Sequence, residues 1–492
     1  MLRHSGRTIF ALSSHYDLRA PSALAVIRIS GMDVKKMINR MVITKKQIKP
    51  RKATLCDLVD PLTKHKLDKS LLLHFPGPNS YTGEDVLELH VHGGRSVVES
   101  VMKCLSDRMD FDHALPGEFT RRALLNGKMD LTEAEALSDL LKAQTEQQRL
   151  SALKQMEGSL GDVVRHMQSE LTECLCFLVA WVDFGDDNPD SIQREHAYEQ
   201  GAVARARNVL RVLSGFSPED GSVTTRSVGQ MIRSGIRISL VGAPNAGKSS
   251  ILNAISGRRS AIVSKMAGTT RDVVDVNVDI GGYSVIVSDT AGIRHLDATL
   301  NTDQDDHVYI EQLGIEKAVQ NALDSDLILY IMDSTTQEQI QAHEFCWNTL
   351  KNKLGHDDLV RKVVVVKNKV DLSSVGTFEE PSISVSCSSG QGVDEMLTFI
   401  HEKIKDMLRN HNTKANVGDE RDLSSLVTRS RHRSAFVNCK FELEQFLMHK
   451  DSEDIAQEHL RLAIGHLTSI TGIHQDVEDI LGRVFSEFCV GK

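Results

Sequence analysis

Gly242-Ala243-Pro244-Asn245-Ala246-Gly247-Lys248-Ser249-Ser250 follows the apolar run Ile236 to Val241 and precedes the helix-like stretch SSILNAIS. Gly242, Gly247, Lys248 and Ser249 have the spacing of a phosphate-binding loop. Glycines there let backbone N–H groups point inward at phosphate oxygens, and the helix start adds the positive end of its dipole. Lys248 is placed to reach the β- and γ-phosphates of a nucleotide, and Ser249 to ligate Mg2+. The residues around the loop, 234–405, alternate strands with helices, which predicts a parallel α/β sheet.

Three more elements follow in the order a GTPase needs. Asp289-Thr290-Ala291-Gly292 ends an apolar strand, so Asp289 can hold the Mg2+ shell and Gly292 can offer its N–H to the γ-phosphate. Between them lies Gly268-Thr269-Thr270-Arg271-Asp272, with Thr270 the natural switch residue on Mg2+. Asn368-Lys369-Val370-Asp371 follows the strand Val363 to Val366, and the Asp371 carboxylate can accept from guanine N1–H and N2–H2. Adenine lacks those donors, so ATP leaves a carboxylate unpaired at a cost of several kcal/mol in order of magnitude. Ser386, Cys387 and Ser388 are expected to complete the base pocket through backbone N–H groups. Ile293, just after the DTAG motif, cannot orient a water as a Ras-like Gln does. The side-chain carbonyl of Asn245 is either a monovalent-cation ligand or a simple turn former.

Outward from this module, residues 1–128 read as an α+β domain, with Val86, Leu87, Leu89 and Val91 interleaved by Glu88, His90 and His92. From Asp130 the spacing turns helical, and Thr132 with Glu135 suggests a capping box opening a helical stretch to about Val182. V-D-V-N-V-D-I over 274–280, then Gly281-Gly282, predicts a hairpin. The polar segment 409–425 reads as a linker, and the apolar face Val477 to Phe488 as a packed helix. The expected organisation is an N-terminal domain over 1–128, a first helical part over 129–232, an α/β P-loop G domain over 233–405, and a second helical part over 406–492.

The chain has 492 residues, enough for about three domains at roughly 150 residues each. Its net charge of −9 rules out bulk electrostatic attraction to nucleic acid, so any RNA contact is local or comes through a partner. No apolar run of about 18 residues occurs, and no membrane span is expected. The eight cysteines are scattered, and only Cys174 and Cys176 lie close together. Arg3, His4 and Arg7 precede the first acid, Asp17: a short mitochondrial targeting segment or a plain basic start.

Longer motifs carry a more specific resemblance. FPGPNSYTGEDVLELHVHGG (75–94), PGEFTRRALLNGKMDLTEAEA (116–136), GTTRD, DTAGIR, EQLGIEKA and the terminal FCVGK are similar to the signatures of the MnmE (TrmE) family, and the chain resembles that family from end to end. The resemblance implies a potassium-activated GTPase acting with an FAD-dependent MnmG-type partner on uridine 34 of tRNA, in bacterial cytoplasm or mitochondria. It implies a homodimer and a 5-formyl-tetrahydrofolate-type one-carbon donor. On the family pattern Asn245, Ser264, Met266 and Thr269 lie where K+ is ligated, and Glu311 matches the residue that orients the attacking water. Arg28, Glu88, Lys128 and Lys492 match the folate positions, and Cys489 the C-terminal cysteine of the family. Pro21 and Ala23 stand where glycines are common in the family, and Ser264 where Thr is common.

Two other classes compete: a ribosome-assembly GTPase, and a GTP switch that recruits a partner without chemistry. The only basic cluster that could serve the former is Arg429, Arg431 and Arg433 with His432. The role implied for Glu311 makes a prediction. Glu311→Ala is expected to cut GTP turnover by about a hundredfold or more while leaving nucleotide affinity unchanged; undiminished single-turnover hydrolysis would end the assignment.

Overall fold

The computed structural model describes residues 6–14, 22–183, 198–216, 226–258, 274–289, 319–320, 322–333, 335–372, 381–413, 423–472, 488 and 491. The chain divides into two compact units, one made of Met1–Ser138, Met156–Arg165 and Leu467–Lys492, the other of Asp139–Gln155 and His166–His466.

In the first unit, period-two alternation builds a sheet with its main core on one face. Its strands are β1 (Ile9–Leu12), β2 (Leu24–Ser30), β3 (Val42–Ile43), β4 (Thr54–Val59), β5 (Lys66–Phe75), β6 (Val86–His92) and β7 (Asp112–His113), in the order β3-β4-β5-β6-β2-β1-β7. All neighbours are antiparallel except β1 and β7. Leu87, Leu89 and Val91 join Ile27, Ile29 and Leu72 in a core covered by α1 (Val34–Met41) and α2 (Arg95–Met109). Glu88 and His90 take the opposite face. Helix α3 (Glu118–Leu125) follows.

The helical stretch after Asp130 is three helices rather than one: α4 (Leu131–Lys142), α5 (Glu146–Met156) and α6 (Ser159–Asp183). The capping box sits two residues earlier than the sequence suggests. Asp130 Oδ1 accepts from Glu133 N at 3.0 Å, and Glu133 Oε2 accepts from Asp130 N at 2.9 Å. Thr132 and Glu135 are instead buried inside the first turns. Between α4 and α5, Gln148 Oε1 accepts from Gln144 N and Thr145 N and restarts the helix. Gly158, at φ +83°, divides α5 from α6. In this unit Phe488, the one described residue of the C-terminal apolar face, packs with Leu131 and Ala134.

In the second unit a π-turn (Glu199–Val203) leads into α7 (Ala204–Val212), and α8 (Val228–Ser234) leads into the α/β sheet. The sheet comprises β8 (Ile236–Val241), β9 (Val274–Ile280), β10 (Tyr283–Asp289), β11 (Leu327–Met332), β12 (Val363–Lys367) and β13 (Ser382–Ser384), ordered β13-β12-β11-β8-β10-β9. Every pair is parallel except the β9–β10 hairpin, whose Gly281 and Gly282 both take positive φ, as a two-residue I′ turn requires. Around it lie α9 (Lys248–Arg258), α10 (Gln337–Lys362) and α11 (Val393–Thr413). α11 continues through the first residues of the segment read as a linker. Then come α12 (Leu423–Leu426), α13 (Ser430–Met448) and α14 (Glu453–Thr471).

Cys174 is buried and its thiol is pushed up to about 12 by desolvation, whereas Cys176 is exposed, so the pair shares no site. Among the described residues no helix is long and apolar enough to cross a membrane. The covered sheet face makes a stability prediction. Leu89→Ala, at a fully buried position, is expected to cost about 2–5 kcal/mol, read as a lower denaturant midpoint with an unchanged slope; an unmoved midpoint would take Leu89 out of the core.

Candidate functional site

All five residues of β8 other than Arg237 are buried, which fixes the strand between β10 and β11 and delivers its C-terminal end to the loop. Asp289 pairs with Leu240 and Tyr330 with Val241, so β10 and β11 end at the same edge as β8. Ligands of open parallel sheets bind at that carboxyl edge. Gly242 lies against the backbone of β11, where a Cβ would collide with the Ile331 carbonyl oxygen. Gly247, at φ +97°, lies against the Asn368 side-chain amide in the same way. Both positions therefore demand glycine. Asn245 takes a left-handed φ of +61°.

Lys248 opens α9, and its Nζ donates to the carbonyls of Gly242 (2.9 Å) and Ala243 (2.8 Å). The ammonium is thus held across the mouth of the loop, and the first amides of α9 provide an anion-binding helix start. Ser249 and Ser250 occupy its first turn.

The segment after β12 grips this loop from outside. Asn368 Nδ2 donates to Ala246 O at 3.0 Å, and Lys369 Nζ donates to Asn245 O at 3.0 Å. Two adjacent residues thus hold two adjacent carbonyls. Lys369 is itself left-handed, at φ +62°, and its Nζ also meets Asp333 Oδ2 at 2.7 Å. Asp333 directly follows β11 and is 2% exposed. Burial raises its carboxyl, but the Lys369 ammonium and the Thr335 N–H and hydroxyl outweigh that and hold it below the usual carboxylate range.

Asp371 is exposed, and hydroxyl bonds from Ser386 and Ser388 hold its carboxyl low, so it is an ionised acceptor at neutral pH. Ser388 Oγ donates to Asp371 Oδ2 at 2.8 Å and lies 2.9 Å from Ser386 Oγ. One expectation changes here. The Ser386 N–H is spent on Gln391 O at 2.9 Å. Ser386 therefore acts on Asp371 through its hydroxyl, because the turn after β13 uses its amide, and Ser388 adds a second hydroxyl contact.

In the first unit, Arg28 and Glu88 face each other across β2 and β6, and the Arg28 Nε and Nη2 donate to Glu88 Oε1 at 3.1 and 3.0 Å. The guanidinium lies 5.4 Å from the Tyr81 ring centroid and 5.7 Å from that of Phe119. Lys128 runs beside Gly83, its Cε 3.3 Å from where a Gly83 Cβ would sit. The same 81–84 loop is pinned from below. Ser30 Oγ meets Thr82 Oγ1 and Glu84 Oε2, both at 2.7 Å, and buried Arg122 bridges Glu84 and Glu118.

A sequence profile for the MnmE helical domain matches residues 131–489, and one for the GTP-binding protein TrmE N-terminus matches residues 8–128. The mitochondrial 5-taurinomethyluridine-tRNA synthase subunit of Homo sapiens is 37% identical over 496 residues, covering 99% of this chain and 94% of that protein. The mitochondrial tRNA modification GTPase of Saccharomyces cerevisiae is 33% identical over 523 residues (99% and 93%), and the tRNA modification GTPase MnmE of Paramagnetospirillum magneticum 38% over 491 (99% of each). The chain belongs to the MnmE (TrmE) family of tRNA modification GTPases.

Of the positions expected to serve this MnmE-family site, the structure brings together Asn245 to Ser249 with Asn368 and Lys369, and sets Asp371 with Ser386. Cys387 follows Ser386, half-buried, with its thiol raised by burial. It also joins Arg28 to Glu88. Ser264, Met266, Thr269, Thr270, Gly292, Glu311, Cys489 and Lys492 lie outside the described residues, as does the side chain of Asp289. Sequence reasoning missed Asp333, Ser388 as the orienter of Asp371, and the Glu84–Arg122–Glu118 network. An acid ending a wholly apolar strand, LILYIMD, is the signal that marks Asp333. The basic cluster fails as a surface patch: Arg429 pairs with Asp139 at 3.0 Å and His432 is fully buried.

The Asp371 geometry sets a specificity test. Asp371→Asn places an amide where the carboxylate accepts, so guanine nucleotide affinity is expected to fall by about tenfold or more while xanthine nucleotide affinity rises. Titration with fluorescent GDP and XDP reads both, and an unchanged GDP affinity would remove Asp371 from base recognition.

Proposed function

We propose that this chain is a potassium-activated GTPase that, with an FAD-dependent MnmG-type partner, modifies carbon 5 of wobble uridine 34 in mitochondrial tRNAs, adding an aminomethyl- or taurinomethyl-type group from a folate one-carbon donor. The observation that carries the nucleotide part is the paired hold of the Asn245 and Ala246 carbonyls by Lys369 and Asn368. It joins a phosphate loop to a base-reading loop that ends in an ionised Asp371.

In this reading Lys248 and the first amides of α9 bind the β- and γ-phosphates, Asp371 selects guanine, and Glu311 orients the water that attacks the γ-phosphorus. Mg2+ belongs with Ser249 and Thr270, where it would neutralise charge between the β- and γ-phosphates. A carbonyl and hydroxyl donor set suits K+, and Asn245, Ser264, Met266 and Thr269 are the residues that would hold it. The left-handed Asn245, its main chain fastened by Lys369, is a fixed place for one such donor. The K+ charge would do what an arginine finger does elsewhere.

The folate donor is assigned to Arg28, Glu88, Lys128 and Lys492. Two observations support it. The half-buried Arg28–Glu88 pair stands on the sheet face away from the main core, beside Tyr81, and Lys128 runs along the loop that carries Tyr81. A carboxylate suits a pterin ring, and Arg and Lys suit the glutamate tail. The same face exposes Leu55, paired with Leu71 across β4 and β5, and Leu24. An apolar sheet face of that kind supports assembly with a second copy of this chain. Mitochondrial placement rests on the human and yeast relatives; bacterial cytoplasm is the alternative, since bacterial relatives match equally well.

Exchange of the salt tests the cation assignment. GTP hydrolysis by the full chain is expected to be at least about tenfold slower in Na+ than in K+ at equal ionic strength. Equal rates in both would end the potassium reading.

A further inference from the structure

The two crossings between the nucleotide-binding sheet and the surrounding helices are zipped together. Ser227 caps α8 and donates its hydroxyl to Val427 O. Gly229 lies flat on the backbone of the exit segment, where a Cβ would come within 2.6 Å of Ser425 O and 2.7 Å of Val427 O. Gln155 Nε2 donates to Leu426 O at 2.9 Å and Thr428 Oγ1 at 3.1 Å.

One carboxylate closes this neck. Asp139 Oδ1 accepts from Arg233 Nε at 2.9 Å and from Arg429 Nη2 at 3.0 Å. Arg233 lies in α8, just before β8, and Arg429 precedes α13, just after the chain has returned. The Asp139 and Arg429 side chains are only 13% and 12% exposed. Gln148 Nε2 adds a bond to Arg233 O at 3.0 Å.

The same helices grip the sheet at a second point. Gln147 N donates to Gly282 O at 3.0 Å at the tip of the β9–β10 hairpin, and Asn277 Nδ2, midway along β9, donates to Gln144 Oε1 at 3.3 Å. From that tip the strands run to Val274 and Asp289, which adjoin GTTRD and DTAG in sequence. A displacement at the nucleotide end of these strands therefore reaches α5 at the tip. The neck decides whether α4 and α5 follow it or slip.

We propose that Asp139 is a positioning residue that couples nucleotide turnover to tRNA modification by clamping both crossings onto the α4–α5 pair. The proposal rests on the functional reading above. Without the carboxylate, Arg233 and Arg429 lose the one acceptor they share, and the two crossings are no longer tied to each other through it. The phosphate loop is held by Asn368, Lys369 and Asp333, none of which touches the neck. Hydrolysis and its transmission are thus separable. α4 also begins three residues after Lys128, so the helix that carries Asp139 starts next to a proposed folate residue.

The test uses full-length Asp139→Asn, purified and also supplied as the sole copy in cells. GTP kcat and KM are expected to stay within about twofold of the parent, while wobble-uridine modification, read by nucleoside mass spectrometry, falls about tenfold or more. Asp139→Glu, which keeps the carboxylate, is expected to recover part of it. Retention of both activities overturns the proposal. So does a parallel loss of GTP hydrolysis, because Asp139 would then serve the nucleotide site itself. If Asp139→Asn does not fold by thermal melting, Arg233→Lys is expected to give the same split, and its absence overturns the proposal equally. Unmodified wobble uridine with the parent protein counts against the functional reading alone. The clamp is then read by hydrogen exchange, which Asp139→Asn is expected to speed in α8 and α12; unchanged exchange there overturns it.

Discussion

The nucleotide-binding half of this protein depends on a grip between two loops that lie far apart in sequence. Asn368 and Lys369, side by side after β12, hold the carbonyls of Ala246 and Asn245. Those bonds fix the phosphate loop in a shape that requires glycine at 247 and left-handed backbone at 245 and 369. Such conformations cost about 1 kcal/mol or more each for a residue other than glycine and persist only where the surroundings over-determine them. Buried Asp333 provides that surrounding: it anchors the Lys369 ammonium from below, and Thr335 satisfies its other oxygen. Phosphate reading and base reading are therefore one mechanical unit.

This arrangement explains why the site residues divide as they do. Lys248, Asn368 and Lys369 touch main chain and shape the loop, whereas Asp371 stands exposed, aimed by the Ser386 and Ser388 hydroxyls. Within the four-residue motif, the side chains that shape the loop are thus distinct from the one proposed to select the base. In the first unit a parallel logic holds. A buried network around Arg122 pins the 81–84 loop, and the sheet face away from the main core carries the half-buried Arg28 and Glu88.

Much of this is legible in the amino-acid sequence. The phosphate loop, the hairpin with its Gly281-Gly282 turn and the alternation of β6 are local patterns, and local patterns survive folding. Helix ends are less legible. Thr132 and Glu135 form a capping pattern, yet Asp130 and Glu133 make the bonds, because a carboxylate one step before the helix competes better for the N3 amide. Nothing in Gln148 marks it as the residue that restarts α5. Arg429 and His432 read as a basic patch, but one is neutralised by Asp139 and the other buried, and no local signal reports a partner 290 residues away. Asp333 and Ser388 escape a sequence reading for the same reason: their meaning lies in what they touch.

Function follows the same division. The GTPase character and the family rest on motifs that are local and on matches that run the length of the chain. The coupling proposed between hydrolysis and tRNA modification rests on long-range contacts, above all at the neck around Asp139. The most direct measurement of the central claim is calorimetric titration of the full chain with GDP and with ADP under identical conditions. The account predicts GDP binding about a hundredfold tighter or more, the penalty for leaving a base-facing carboxylate unpaired; equal affinities for the two nucleotides would contradict it.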